Sequence, residues 1–238
     1  MKRIAVAYLV AVHVLLVTAI AKTDLVPRVA ARLNLTKPQM PGEMPEEDSI
    51  IPTLRTIHKQ MDSSVPAGVT IFLGDSITMA LATAALAPRT VNYGIGSQRS
   101  DQLLKSMDLY KSIERASRVV IMIGTNDLLQ GREEGIESRY RAILEKIPGD
   151  TQIIMNSVPP LDNPMFYGHQ VEDASVRKVV ASAKAACGND PRCRFVNTYD
   201  ALTSNSLPAP GVLLADKIHL AREGYRLWIE AMQLQINL

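Results

Sequence analysis

Three observations in this 238-residue chain predict an α/β domain built on a parallel sheet. From Val69 onward, short apolar runs alternate with longer stretches of helical periodicity. The runs are apolar along their length rather than at every second residue. Glycines and polar residues stand immediately after each run. A strand apolar on both faces must be covered on both, so helices are expected on either side of the sheet. The fold class is therefore three-layer α/β with five parallel strands.

The strand candidates are 69–73, 90–93, 119–123, 152–155 and 194–196. Helix candidates between them are 77–86, 102–110 continued by 111–116, 134–147 and 171–186. A last helix is expected over 223–234, with Tyr225, Trp228, Ile229 and Met232 on one face. These elements make one domain over 69–238, a length that can bury a single core. No internal repeat interrupts it.

The residues before it read differently. Lys2 and Arg3 precede an apolar stretch over 4–21, broken only by His13 and Thr18, and Ala19-Ile20-Ala21 offers a small-x-small cleavage site. A signal peptide fits, and so does a slightly short membrane anchor. Either places the rest of the chain outside the cytoplasm, periplasmic or secreted, and the uncleaved form would tie it to a membrane. Residues 22–68 form a connector. Its 25–35 portion is weakly amphipathic, its 37–48 portion carries Pro38, Pro41 and Pro45, and 50–61 suits a short helix packed on the domain.

Cys187 and Cys193 are the only cysteines, with Gly188 and Pro191 between them. In an oxidising compartment they can close a small loop worth roughly 2 kcal/mol; the alternative is two buried thiols. With 26 Lys+Arg against 24 Asp+Glu the formal charge is +2, and no basic stripe interleaved with aromatics is present, which argues against a nucleic-acid partner.

Open parallel sheets bind ligands outside the carboxyl ends of their strands. There this chain places Gly74-Asp75-Ser76, then Gly94-Ile95-Gly96-Ser97, then Gly124-Thr125-Asn126-Asp127, then Asn156-Ser157. Ser76, on a strand-to-helix turn, is a candidate nucleophile, although Gly-Asp-Ser is also an ordinary capping turn. Asp216 and His219 are three residues apart. That spacing lets the carboxylate accept the Nδ1 proton and leaves Nε2 as a base. The other reading is a capping aspartate beside an incidental histidine. Asn126 can donate its amide to an oxyanion, or simply form a turn. His13 and His58 lie in the export segment and the connector. His169, with Tyr167 and Gln170, lies in a loop that could contact a sugar. Met79, Leu128, Leu129 and Met165 could line an acyl pocket or belong to the core. Gly94-x-Gly96 is no dinucleotide fingerprint, since Arg99 occupies the third glycine position.

Taken in order, Gly-Asp-Ser-Ile-Thr (74–78), Asn-Tyr-Gly-Ile-Gly-Ser (92–97), Gly-Thr-Asn-Asp (124–127) and Asp-Lys-Ile-His-Leu (216–220), followed by Gly224-Tyr225, resemble the SGNH hydrolases, also called GDSL esterases and lipases. The resemblance implies a flavodoxin-like sheet and a serine esterase using neither metal nor cofactor. It makes Ser76 the nucleophile, His219 the base and Asp216 its orienter. The oxyanion hole would be the N–H of Ser76, an N–H of the second block and the Asn126 side chain. Aligned from Asn92, the family's oxyanion glycine falls on Ser97. A positive φ there would cost serine about 1–2 kcal/mol. Either the turn at Ser97 is right-handed or extended, or Gly96 takes the role in a shifted register; Ser97 is the preferred donor.

The implied activity is hydrolysis of a carboxylic ester through an acyl-enzyme, on a small-molecule or glycan-linked substrate. Removal of acyl groups from an envelope polysaccharide, or transfer to one, is the alternative. A catalytically silent binding domain is a third.

Overall fold

The computed structural model describes residues 46–166, 168–205 and 207–236. The apolar stretch over 4–21, read above as a signal peptide or anchor, the connector up to residue 45, and Tyr167 lie outside the described residues. Among the described residues, no helix is long and apolar enough to cross a membrane.

Five parallel strands form the central sheet: β1 (Thr70–Gly74), β2 (Thr90–Asn92), β3 (Arg118–Met122), β4 (Gln152–Asn156) and β5 (Cys193–Val196), in the order β2-β1-β3-β4-β5. Each expected strand is present, displaced by a residue or so at its ends. Ile71 lies opposite Val91 and Val119, and Ile153 opposite Val119 and Cys193. Ile71, Leu73, Val119, Ile121 and Met155 are fully buried, as strands covered on both faces require. The winding reverses between β1 and β3, and the crevice at such a switch point is where doubly wound sheets bind ligands.

The helices are α1 (Ile51–Asp62), α2 (Ser76–Met79), α3 (Ser100–Ser106), α4 (Thr125–Leu129), α5 (Ile136–Glu145), α6 (Asp173–Gly188), α7 (Thr198–Ala201) and α8 (Arg222–Ile236). Helices α3, α5 and α6 pack side by side, while α8 lies against α7 and β5. Two short hairpins, 165–170 and 203–208, decorate the carboxyl side of the chain's second half.

Two helices are shorter than their periodicity predicts, for identifiable reasons. The helix expected over 77–86 stops at Met79, where the Leu81 N–H turns back to Thr78 O (3.0 Å) and the Asn92 side-chain amide, donating to the carbonyls of Thr78 (2.8 Å) and Leu81 (3.3 Å), pins the chain in that tighter turn. The helix expected over 102–110 stops at Ser106, whose hydroxyl donates back to Gln102 O at 2.9 Å, and 3₁₀ turns follow.

Helix α1 is built into the domain rather than laid on it. Buried Asp62 accepts hydrogen bonds from Tyr93 Oη (2.7 Å), the Ser112 N–H (3.0 Å) and the Ser112 hydroxyl. Arg55 donates to Gln102 O at 2.8 Å and Ser106 Oγ at 2.7 Å. Tyr93 and Tyr110 stack at 4.3 Å between centroids, and His58 meets both rings. At the far side, Cys187 and Cys193 form a disulfide joining the end of α6 to the start of β5.

Candidate active site

Gly74 ends β1 where no side chain fits: a Cβ there would lie 2.1 Å from Thr78 Oγ1 and 2.3 Å from Met122 O. That close approach lets the chain fold back directly into α2. Asp75 is extended (φ −99°, ψ −153°), and its Oδ1 accepts the Ile77 N–H at 3.0 Å, capping α2. Ser76 therefore begins the helix, half-buried, at the carboxyl edge of the sheet. It does not cap α2; Asp75 does. The Tyr225 hydroxyl reaches across from α8 to Ile77 O at 2.8 Å and fixes the same turn.

The C-terminal loop places the candidate base. Asp216 Oδ1 accepts the N–H groups of Ile218 and His219, both at 3.0 Å, across a left-handed Lys217 (φ 65°). That turn swings the two side chains together, and His219 Nδ1 lies 2.7 Å from Asp216 Oδ2. A carboxylate only accepts, so Nδ1 carries the proton and Nε2 is the acceptor for Ser76 Oγ–H at 2.9 Å. Burial raises the Asp216 carboxyl, but bonds from the His219 backbone, its imidazole and the Ile218 backbone outweigh it and hold the group below its ordinary value. Asp216 thus stays ionised while it orients the ring.

Two further strand ends converge here. Gly96 stands beside Ser76: a Cβ on Gly96 would lie 3.9 Å from the Ser76 Cβ and 3.6 Å from Met79 Cε. Asn126, on the first turn of α4, donates from Nδ2 to Gln98 O at 3.1 Å, which anchors it to the segment just after Ser97. Gly124 adopts φ 130° to start that turn, and the Tyr140 hydroxyl packs where its side chain would be. Ser97 has φ 64°. The expectation of a right-handed or extended turn there is therefore corrected: serine occupies the left-handed region, at a cost of about 1–2 kcal/mol.

Other candidates separate. Leu128 and Leu129 are core residues, at 0% and 3% exposure, whereas Met79 is 47% exposed beside Gly96. Met165 is exposed on the 165–170 hairpin. His169 packs its ring over Gly131, at the end of the turn that follows α4. His58 belongs to the buried tyrosine cluster, 3.2 Å from Tyr110 Oη. Among the described residues no group of three or more His, Cys, Asp or Glu could hold a metal ion.

Two buried carboxylates flank the site and were not singled out from the sequence. Asp127 accepts from the Ser100 N–H (2.9 Å), the Ser100 hydroxyl (2.6 Å) and Arg139 Nη2 (3.3 Å), tying α4 to α3 and α5. Burial raises its pKa despite those donors. Asp75 is fully buried, and burial pushes its carboxyl up to about 7 against the pull of the Ile77 N–H, the Thr125 hydroxyl and His219. The one signal available was position: each carboxylate adjoins a candidate catalytic residue at a strand end.

Solved structures share this architecture. A Streptococcus pneumoniae protein named for platelet activating factor superposes with a TM-score of 0.69 at 19% identity, covering 76% of this chain and 90% of that one. An acetylxylan esterase from Geobacillus stearothermophilus superposes at 0.56 with 20% identity over 72% and 96%. The catalytic domain of a peptidoglycan O-acetyltransferase from Streptococcus pneumoniae superposes at 0.55 with 17% identity over 72% and 93%. At such identities the likeness is one of fold. No curated protein matches the chain. The model of the GDSL-like lipase/acylhydrolase family matches residues 72–227. This span runs from β1 into α8 and takes in all the strand ends described above, and the chain belongs to that family of ester-cleaving enzymes.

Proposed function

We propose that the protein is a serine esterase working through an acyl-enzyme, with its catalytic domain over 69–238 and helix α1 built into it. Ser76 Oγ attacks the ester carbonyl as His219 Nε2 takes its proton, and ionised Asp216 stabilises the imidazolium. The N–H groups of Ser76 and Ser97 and the Asn126 amide receive the oxyanion; each such donor is worth about 3–4 kcal/mol in the transition state. His219 returns the proton to the departing alcohol, and water, activated by the same imidazole, releases the acid. The observation that carries this reading is the unbroken relay from Ser76 through His219 to Asp216, at 2.9 Å and 2.7 Å. A fluorophosphonate probe should label the wild type and not Ser76→Ala, whose kcat/KM should fall by about 10⁴-fold or more. Equal labelling of both would remove Ser76 from the mechanism.

The favoured substrate is a short acyl ester on a bulky alcohol, such as O-acetyl groups of an envelope polysaccharide. With Leu128 and Leu129 in the core, Met79 is an exposed apolar side chain beside Gly96, which itself adjoins Ser76. The His219 and Asp216 side chains are 40% and 45% exposed, which suits a substituent on a large molecule. The structural relatives named for acetylxylan hydrolysis and peptidoglycan O-acetyl transfer support the same reading. A sugar hydroxyl replacing water in the second step would make the reaction a transfer. Across aryl esters from acetyl to octanoyl, kcat/KM should drop about tenfold or more; a flat or rising series would exclude an acetyl-sized pocket. No turnover and no labelling across the panel would point instead to a binding domain. Export is part of the proposal, supported by the charged and apolar start of the sequence and by the disulfide.

A further inference from the structure

Beside the proposed relay stands a pair of buried polar atoms that the mechanism does not use. Asp75 Oδ1 is taken up by the Ile77 N–H, but Oδ2 is buried without a hydrogen-bond partner. Thr125 Oγ1 is likewise buried and unpartnered. Buried polar atoms without partners are rare, since each forfeits the hydrogen bonds it made to water. The two are within reach of each other, since the Thr125 hydroxyl lowers the Asp75 carboxyl that burial raises, yet they stand short of ordinary hydrogen-bond geometry. Their places in the chain correspond: Asp75 immediately precedes Ser76 at the end of β1, and Thr125 immediately precedes Asn126 beyond the end of β3. These two strands are adjacent and in register up to the pair Gly74 and Met122.

We infer that Asp75 and Thr125 close a buried hydrogen bond that braces the nucleophile turn against the oxyanion turn, making both of them positioning residues for Ser76 and Asn126. One proton serves the brace in either protonation state: Thr125 Oγ–H donates to an ionised carboxylate, or a protonated Oδ2 donates to Thr125 Oγ1. No backbone bond can do this work between the turns, because ladder pairing ends at Gly74 and Met122. A displacement of a fraction of an ångström between attacking oxygen and oxyanion donor affects the transition state more than substrate binding.

This inference rests on the proposed serine-esterase reading. Thr125→Val, nearly isosteric but without a hydroxyl, should lower kcat about tenfold with KM within about twofold of wild type. Thr125→Ser, which restores the hydroxyl and drops only the methyl, should recover kcat to within about threefold of wild type. Asp75→Ser still offers an oxygen to cap α2 but withdraws the atom that meets Thr125. Adding Thr125→Val to Asp75→Ser should therefore lower kcat by less than about twofold further. Equal loss in the Val and Ser variants, a parallel rise in KM, or full additivity in the double variant would each overturn the brace. Should Thr125→Val fail to fold, Thr125→Ala, alone and combined with Asp75→Ser, removes the same hydroxyl and carries the same comparison. Ser76→Ala in the same assay separates the two levels. If it retains activity the esterase reading is wrong; if it is dead while Thr125→Val matches wild type, only the brace is.

Discussion

At the residue scale, burial decides how the carboxylates around Ser76 behave. Asp75 has its folded pKa raised to about 7, above its unfolded value near 3.9. The folded state then holds the proton more tightly than the unfolded chain. The stability this contributes is complete below about pH 4 and lost as pH rises through about 7. Asp75→Asn keeps an α2 cap and never ionises. It should match the wild type in Tm near pH 4 and exceed it at pH 8; a difference that does not widen with pH would contradict a buried, raised carboxyl. The convergence of Ser76, Asp216 and His219 was legible in the sequence, because a serine after a strand and an aspartate three residues before a histidine form a pattern. The left-handed φ of Ser97 was not, since serine gives no sign of it, unlike glycine. Nor was the burial of Asp75 and Asp127, as both look like ordinary turn carboxylates until partners from other elements enclose them.

Among elements, long-range partners rather than local propensity set the boundaries. The strands were legible nearly to the residue because a two-sided apolar run has one stable place in a three-layer fold. Helices α2 and α3 were over-extended because what ends them, the Asn92 amide in one case and the Ser106 back-bond in the other, has no signature in periodicity. Helix α1 was expected, but its depth of engagement was not. Asp62 is 3% exposed and holds Tyr93 and Ser112 from two other segments. Asp62→Ala should leave several of those donors unsatisfied and lower unfolding free energy by about 3 kcal/mol in urea. A loss under about 1 kcal/mol would show α1 to be an appendage.

Across the whole molecule, strand order follows from reversing the winding once, and that reversal brings residues 76, 96, 126 and 219 to one edge although 143 positions separate Ser76 from His219. The sequence showed the strands and the residues at their ends; the order in which strands neighbour one another had no local signal. The disulfide closes the sheet's far edge, where β5 has β4 on one side only. Replacing both cysteines by alanine should cost about 2 kcal/mol, a fall of about 4–8 °C in Tm; an unchanged Tm would show that the crosslink adds no constraint. The turn at 216–219 has another consequence. The proposed orienter and base share one four-residue loop whose internal bonds, from the Ile218 and His219 N–H groups to Asp216, hold the pair together as a unit. If the loop swings away from the sheet, imidazole and carboxylate leave together with their bond intact, while the contact with Ser76 and the tie from the Asp162 N–H to Lys217 O are broken. Such an enzyme would be switched off while its downfield imidazole proton resonance stayed in place.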